Sequence, residues 1–217
     1  MVFARFPVKG KVKTRLAKEV GIDFATSFYK VCAEYTFAEV LKTEKDGVTA
    51  FLFCSEEYEI EQMKNWTGNK FKYYSQQGNE LGSRMINAFN IVFKAGFRSV
   101  IIIGTDAPDI NFRLILDAFE ALSDHECVIG PSLDGGYYLL GLNGIQNNLF
   151  KNISWSTNSA FNDTIKQLKH IKSDYLIIQK LRDIDIMQDL IEWSRNFSGM
   201  PSHSVKLFIQ SNPFSSN

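Results

Sequence analysis

The sequence predicts an α/β protein, a three-layer α/β/α sandwich around a mostly parallel central sheet. Short apolar runs of strand length alternate along the chain with longer amphipathic stretches. SVIIIG (99–104) has no polar alternation, which marks a strand covered on both faces. The 217 residues, 45% of them hydrophobic, suffice for one large core and not for two.

The elements follow in order. Residues 2–6 read as a first strand. From 23 to 41, Phe24, Phe28, Val31, Tyr35, Ala38 and Leu41 fall at helical spacing behind Asp23, a residue suited to cap. VTAFLFC (48–54) is a strand, 56–66 a helix, and KFKYYS (70–75) a polar-edged strand. Leu81, Met85, Ala88 and Val92 mark a helix that Asn79 is placed to cap and Gly96 to close. Residues 111–122 are helical, ECVIG (126–130) and DGGYYLLGL (134–142) are strands, 157–170 is a helix, DYLIIQ (174–179) a strand and 185–197 a last helix. The division is therefore a single domain over 1–197 and a Ser/Asn/Pro-rich appendage, partly ordered, over 198–217. Its one apolar run, VKLFIQ (205–210), suits pairing with the sheet edge of a second copy, a homodimer.

Composition excludes several classes. Twenty-four Lys+Arg balance 24 Asp+Glu, so nothing global points to nucleic acid or to an anionic membrane. No run reaches the length of a membrane span and no leader pattern opens the chain, which suggests a cytoplasmic protein. Cys32, Cys54 and Cys127 are far apart and lack CxxC spacing, so they read as reduced packing residues.

In sheets of this kind ligands bind outside the carboxyl ends of the strands. The first such loop is the most unusual. FARFPVKGKVKTRLAKEVG (3–21) sets Lys9, Lys11, Lys13, Arg15 and Lys18 around a turn and the start of a helix. Cations at a helix N-terminus oppose its dipole, so Lys13 and Arg15 make better sense with an external anion upon them. Gly10 permits close approach of backbone N–H groups, and phosphate is the candidate. A solvated basic loop is the plainer alternative. A P-loop is excluded, because Val12 stands where Ser or Thr is required.

GTDAPDI (104–110) places Asp106 just past the buried strand. Mg²⁺ and Mn²⁺ are often held by one or two carboxylates plus substrate phosphates, and Asp106 opposite a phosphate-seeking loop suits that role. Asp109 suits a cap for the helix that follows.

FARFPVKGKVKTRLA, QGNELGSRM, GTDAPDI, GPSLDGGYYLLGL, ISWST and RDIDIMQDL, in this order, resemble a family of bacterial glycosyltransferase-like proteins of the nucleotide-diphospho-sugar transferase superfamily. Guanylyltransferases and cytidylyltransferases are similar at a greater distance. The resemblance implies the glycosyltransferase type A fold and a nucleotide at the carboxyl edge of the sheet. It also implies a Mg²⁺ or Mn²⁺ ion joining the phosphates to Asp106. Lys13 and Arg15 match basic positions of the nucleotidyltransferase loop, and Asp185 matches a second metal ligand of some relatives. Where those relatives continue with Thr-Pro-Glu-Asp, this chain has Ile186-Met187-Gln188-Asp189, and Asp185 with Gln188 also suits a capping box.

The resemblance sets Arg84 beside the nucleotide, where its guanidinium can fork onto phosphate, an exposed helix charge being the alternative. Asp134, with Gly135 and Gly136, is either a tight turn or the acceptor side of the site. There Asp134 would act as base or contact an acceptor hydroxyl. Trp155 either stacks on a sugar or base or packs beside the next helix.

The expected function is metal-dependent transfer from a nucleotide-linked substrate, foremost glycosyl transfer from a nucleoside diphosphate sugar to a small-molecule acceptor. The alternatives are nucleotidyl transfer from a nucleoside triphosphate with release of diphosphate, and a nucleotide-binding protein on the same fold without turnover.

Overall fold

The computed structural model describes residues 1–200 and 202–212; the end of the expected appendage, with residue 201, lies outside them. Seven strands form one sheet: β1 (Val2–Ala4), β2 (Phe51–Cys54), β3 (Lys72–Ser75), β4 (Val100–Ile103), β5 (Cys127–Pro131), β6 (Tyr137–Leu142) and β7 (Tyr175–Ile177). Their order is β3-β2-β1-β4-β6-β5-β7, and β6 alone runs antiparallel to its neighbours.

Strand alternation divides the core. Leu52, Cys54, Ile101 and Ile103 point to one face, where they meet α2 (Ile22–Lys42), α3 (Ile60–Thr67) and α5 (Phe112–Asp124). Phe51, Phe53, Val100 and Ile102 point to the other, against α4 (Leu81–Lys94) and α6 (Ala160–His170). This is the expected three-layer arrangement. Outside α2 lies a further cluster in which Leu16 of α1 (Thr14–Val20) packs with Phe28 and Cys32. Leu190 and Trp193 of α7 (Met187–Asn196) join it, as do Val205 and Ile209 of α8 (Ser204–Ser211).

Several local expectations are corrected. VKLFIQ is the body of α8, packed on α2 through Phe208 against Phe24 and Phe28, so it offers no strand to a neighbour's sheet. The apolar residues Val205, Phe208 and Ile209 recur at helical rather than alternating spacing, which favours this outcome. Gly21, not Asp23, precedes α2. Glu80 precedes α4 in place of Asn79, and its backbone N–H donates to Ser83 Oγ. The three cysteines are buried and unpaired, as expected.

Candidate active site

The loop after β1 is built by short-range bonds. The Val8 N–H donates to the Phe6 carbonyl and the Lys11 N–H to that of Val8, while Gly10 turns the chain at φ 75°. Nothing lies within van der Waals reach of Gly10 on the side where a Cβ would stand, so that flank is open. Val12 is buried and anchors the loop's far end. Lys13 then adopts a left-handed backbone, φ 46° and ψ 43°, and precedes α1 instead of lying within it.

This conformation buries the Lys13 side chain, 3% exposed, beneath two carboxylates. Its Nζ is 2.5 Å from Asp106 Oδ1 and 3.0 Å from Asp185 Oδ1. Burial alone favours loss of its proton, but Asp106 and Asp185 outweigh that and raise its pKa. Lys13, which the sequence sets against an external anion, is thus also matched by the protein's own acids. Arg15 remains 68% exposed, with Nη1 3.8 Å from Asp185 Oδ2, and Lys11 is exposed. Lys9 pairs with Asp23 in solvent.

Asp106 stands in a loop pinned by the buried residues Thr105, Ala107 and Ile110. Its carbonyl accepts the Ile184 N–H at 2.9 Å, which fastens the loop to the segment 182–185. That segment is in turn joined to the loop after β5, because Leu181 receives the Leu133 N–H and donates to the Pro131 carbonyl. Neither proposed cap is used. Asn111 Oδ1 caps α5 by accepting from the Arg113 and Leu114 N–H groups, whereas Asp109 accepts from the Trp193 indole at 3.0 Å. Asp189 Oδ2 accepts the Asp185 and Ile186 N–H groups at the start of α7, so the Asp185 side chain is left for Lys13.

Two cavities meet at Asp106. The first, of about 210 Å³, is lined by Arg5, Lys11, Lys13, Thr14, Arg15 and Asp185 besides Asp106. The second, of about 300 Å³, runs between β1, β4, β6 and the start of α4, and Asp106, Arg5 and Tyr29 belong to both. Tyr29 ties this shared lip together, since its hydroxyl accepts the Arg5 N–H and donates to the Arg5 carbonyl.

Asp183 also lines the second cavity. Burial, reinforced by the like charges of Asp106 and Asp134, pushes its carboxyl up to about 8. Asp183, Arg5 and Tyr29 were missed by sequence reasoning. A signal for Asp183 exists: in an extended segment, carboxylates two residues apart fall on one face, and Asp183-Ile184-Asp185 follows a strand, where ligands bind in sheets of this kind.

The remaining candidates border the same edge. Arg84 donates Nε–H to the Gly78 carbonyl at 2.9 Å and so braces the loop before α4. Asp134 Oδ1 accepts from the Ser132 hydroxyl and from the Gly136 N–H, closing its own turn. Gly135, at φ 91°, lies so close to Asn158 that an added Cβ would stand 2.0 Å from the Asn158 carbonyl oxygen. Trp155 packs on Phe150 and covers the face of Gly82, where a Cβ would meet its indole at 2.3 Å.

The resemblance implies a divalent cation, and the donor chemistry fits one. Asp106 and Asp185 present hard oxygen ligands that already converge on a single cationic centre, Lys13 Nζ. Among the described residues no group of three His, Cys, Asp or Glu side chains is disposed to hold a metal. Further ligands would therefore come from phosphate and water, as is usual for Mg²⁺.

Comparison with known proteins agrees with this architecture. A protein of Desulfovibrio desulfuricans G20, provisionally described as a nucleotide-diphospho-sugar transferase, superposes with a TM-score of 0.87 at 27% identity, over 97% of this chain and 93% of that one. A 4-diphosphocytidyl-2C-methyl-D-erythritol synthase of Anaerococcus prevotii shares the fold at a TM-score of 0.56 and 9% identity, over 96% and 97% of the two chains. A cytidylyltransferase of Leptospira borgpetersenii does so at 0.53 and 13%, over 100% and 95%. No curated protein matches the sequence at a significant level. Residues 39–157, more than half of the chain, match the model of a family described as "Uncharacterized protein conserved in bacteria (DUF2064)". The chain belongs to the DUF2064 family and has the fold of the nucleotide-diphospho-sugar transferases.

Proposed function

We propose that this protein is a transferase acting on a nucleotide-linked substrate, and that its reaction is glycosyl transfer from a nucleoside diphosphate sugar. The observation that carries this reading is the first cavity, where a basic loop and two carboxylates share one chamber at the carboxyl edge of the sheet. Its exposed cations suit a diphosphate. As the sugar–phosphate bond breaks, the leaving diphosphate gains negative charge, and Lys11, Arg15 and Arg5 stabilise it most where that charge is greatest. Gly10 lets the phosphates approach bare backbone. Lys13 acts one step removed by fixing Asp106 and Asp185 in place. When Mg²⁺ or Mn²⁺ is bound, Asp106 and Asp185 hold it, and it supplies further stabilisation of the leaving group.

On the acceptor side we place the loop of Asp134, Gly135 and Gly136, with Trp155 behind it. Asp134 spends Oδ1 on its own turn, which orients Oδ2 for an acceptor hydroxyl. Arg84 keeps the loop before α4 in position beside the nucleotide. The low cation count of the second cavity suits a sugar or acceptor there, and a cytoplasmic setting goes with such substrates.

Nucleotidyl transfer is the second reading, favoured by the same basic loop, since a triphosphate also suits it, and by the two neighbours named as cytidylyltransferase and diphosphocytidyl synthase. Product analysis separates the two. The protein is incubated with Mn²⁺ and either nucleoside diphosphate sugars with crude acceptors or nucleoside triphosphates with sugar phosphates. Release of nucleoside diphosphate in the first mixture is the expected result. Diphosphate from the second mixture alone overturns glycosyl transfer in favour of nucleotidyl transfer, and binding with no product in either overturns turnover itself.

A further inference from the structure

The two edges of the sheet are finished differently. At one, β3 carries the exposed Lys72, with exposed Lys70 shortly before it, and cations on an edge strand deter another chain from pairing there. At the other, β7 carries no charge. Leu176 is 36% exposed and Ile177 46%, and strand alternation sets them on opposite faces. The Cys127 N–H donates to the Asp174 carbonyl and the Ile178 N–H to the Ile129 carbonyl, so the even-numbered residues of this stretch turn toward β5. The N–H and C=O groups of Tyr175 and Ile177 therefore point away from the sheet, and among the described residues no strand lies beyond β7.

Open backbone donors and acceptors beside exposed apolar side chains are a template for a further strand. The charges of the stretch suit a second copy of itself. In an antiparallel pair, outward-turned residues lie opposite outward-turned residues, so a two-fold axis falls at a residue and not between two. An axis at Tyr175 or Leu176 sets Asp174 opposite an apolar side chain. An axis at Ile177 instead sets Ile177 against its own copy, Leu176 against Ile178 and Asp174 against Lys180. Both charges are available: Lys180 is exposed and makes no ion pair among the described residues, and Asp174 holds His125 through Oδ2, which leaves Oδ1 for a cation. The chain follows β5 as far as Leu181, whose N–H donates to the Pro131 carbonyl, so Lys180 is carried along the strand direction. Ile177 is level with Ile129 and Leu181 with Ser132, which leaves one extra residue between them, a shift that a lysine side chain can span.

We infer that β7 is a dimerisation edge: two copies of this chain pair antiparallel about a two-fold axis at Ile177, joining their sheets, and Asp174 of each copy meets Lys180 of the other. The inference is independent of the transferase reading. A three-residue strand gives a small interface, so the dimer exchanges with monomer instead of being permanent.

The test is sedimentation velocity of the full chain from about 1 to about 100 µM, with thermal melts to report folding. The wild type is expected to pass from monomer toward dimer across that range. Ile177→Lys sets a cation on the open edge and should weaken association by about tenfold or more. Lys180→Asp brings a second acid opposite Asp174 and should weaken it about fivefold, and adding Asp174→Lys to that variant should restore most of the loss. Ile177 and Lys180 are exposed in the single chain, so both single variants should melt as wild type does at low concentration. A wild type that stays monomeric throughout overturns the pairing. A dimer unchanged by Ile177→Lys places the contact on another surface and overturns it as well. Lys180→Asp that associates as wild type does, or a folded double variant no stronger than Lys180→Asp, overturns the axis at Ile177.

Discussion

Among the described residues two buried polar atoms lack a hydrogen-bond partner, Asp183 Oδ1 and His203 Nδ1, and their surroundings differ. Asp183 borders a cavity at the carboxyl edge of the sheet. His203 is enclosed by rings, with centroids 4.0 Å from Tyr35, 4.9 Å from Phe197 and 5.7 Å from Trp193. Its Nε2 lies 3.0 Å from the Pro108 carbonyl, which requires the proton on Nε2 and leaves Nδ1 a bare acceptor. An unsatisfied atom beside a cavity can be relieved by a ligand; one inside an aromatic cage can only be kept neutral. The same deficit therefore marks an open cleft in one region and pH-sensitive packing in the other.

The cage is where substitution costs most. Trp193→Ala removes a buried ring and strands Asp109, which accepts the indole N–H, so urea unfolding should show a loss of about 3–5 kcal/mol. A loss below about 1 kcal/mol would mean that the cage is not what holds α7 and α8 on the domain.

The cleft should respond less. Lys13→Met removes a buried ammonium, but its two partners are 44% and 40% exposed and can be solvated. A loss of about 1–3 kcal/mol is expected, below that of a fully buried pair. Arg15→Met, at an exposed contact, should cost under about 0.5 kcal/mol while weakening nucleoside diphosphate binding. If both substitutions cost the same, Lys13 is not the organising cation.

Acid should act on the cage through His203. Burial lowers its pKa, with the Pro108 carbonyl and the charges of Asp109 and Glu39 opposing. The unfolded chain thus takes up its proton first. The stability from neutral His203 is complete above the unfolded value near 6.5 and is lost as pH falls toward the folded one. Melting temperatures from pH 7.5 to 5.0 should fall more steeply in wild type than in His203→Gln; equal slopes would remove His203 from the pH response. The smallest expected change is in Asp183→Asn without ligand, whose melting temperature near pH 7 should equal that of wild type, because burial already keeps most of that carboxyl protonated there.

The fold was legible because its signal is repeated. Val100 to Ile103 and Phe51 to Cys54 are continuous apolar runs that serve both faces of the sheet, and no local competition disturbs them. Asp106 was legible by position, since it follows such a strand directly. The partners of single side chains were not. Lys13 reads as an exposed cation until one knows that a left-handed residue turns it inward and that Asp185, 172 residues away, meets it there. Asp109 suits a cap in the sequence, but the distant Trp193 takes its carboxylate and Asn111 caps the helix instead. Asp183 carries a local signal, but its lack of a partner is a property of the assembled cleft.

Nucleoside diphosphate binding to wild type and to Asp106→Asn, followed by thermal shift with and without Mn²⁺, tests the reading of the cleft most directly. Ligand at about 100 times its Kd adds about 2.7 kcal/mol to the native state. Wild type should show such a rise with Mn²⁺; Asp106→Asn, whose ligand-free melting temperature falls because Lys13 loses a partner, should lose most of that rise. A rise that is the same in both proteins would contradict the placement of the polyphosphate between the basic loop and Asp106.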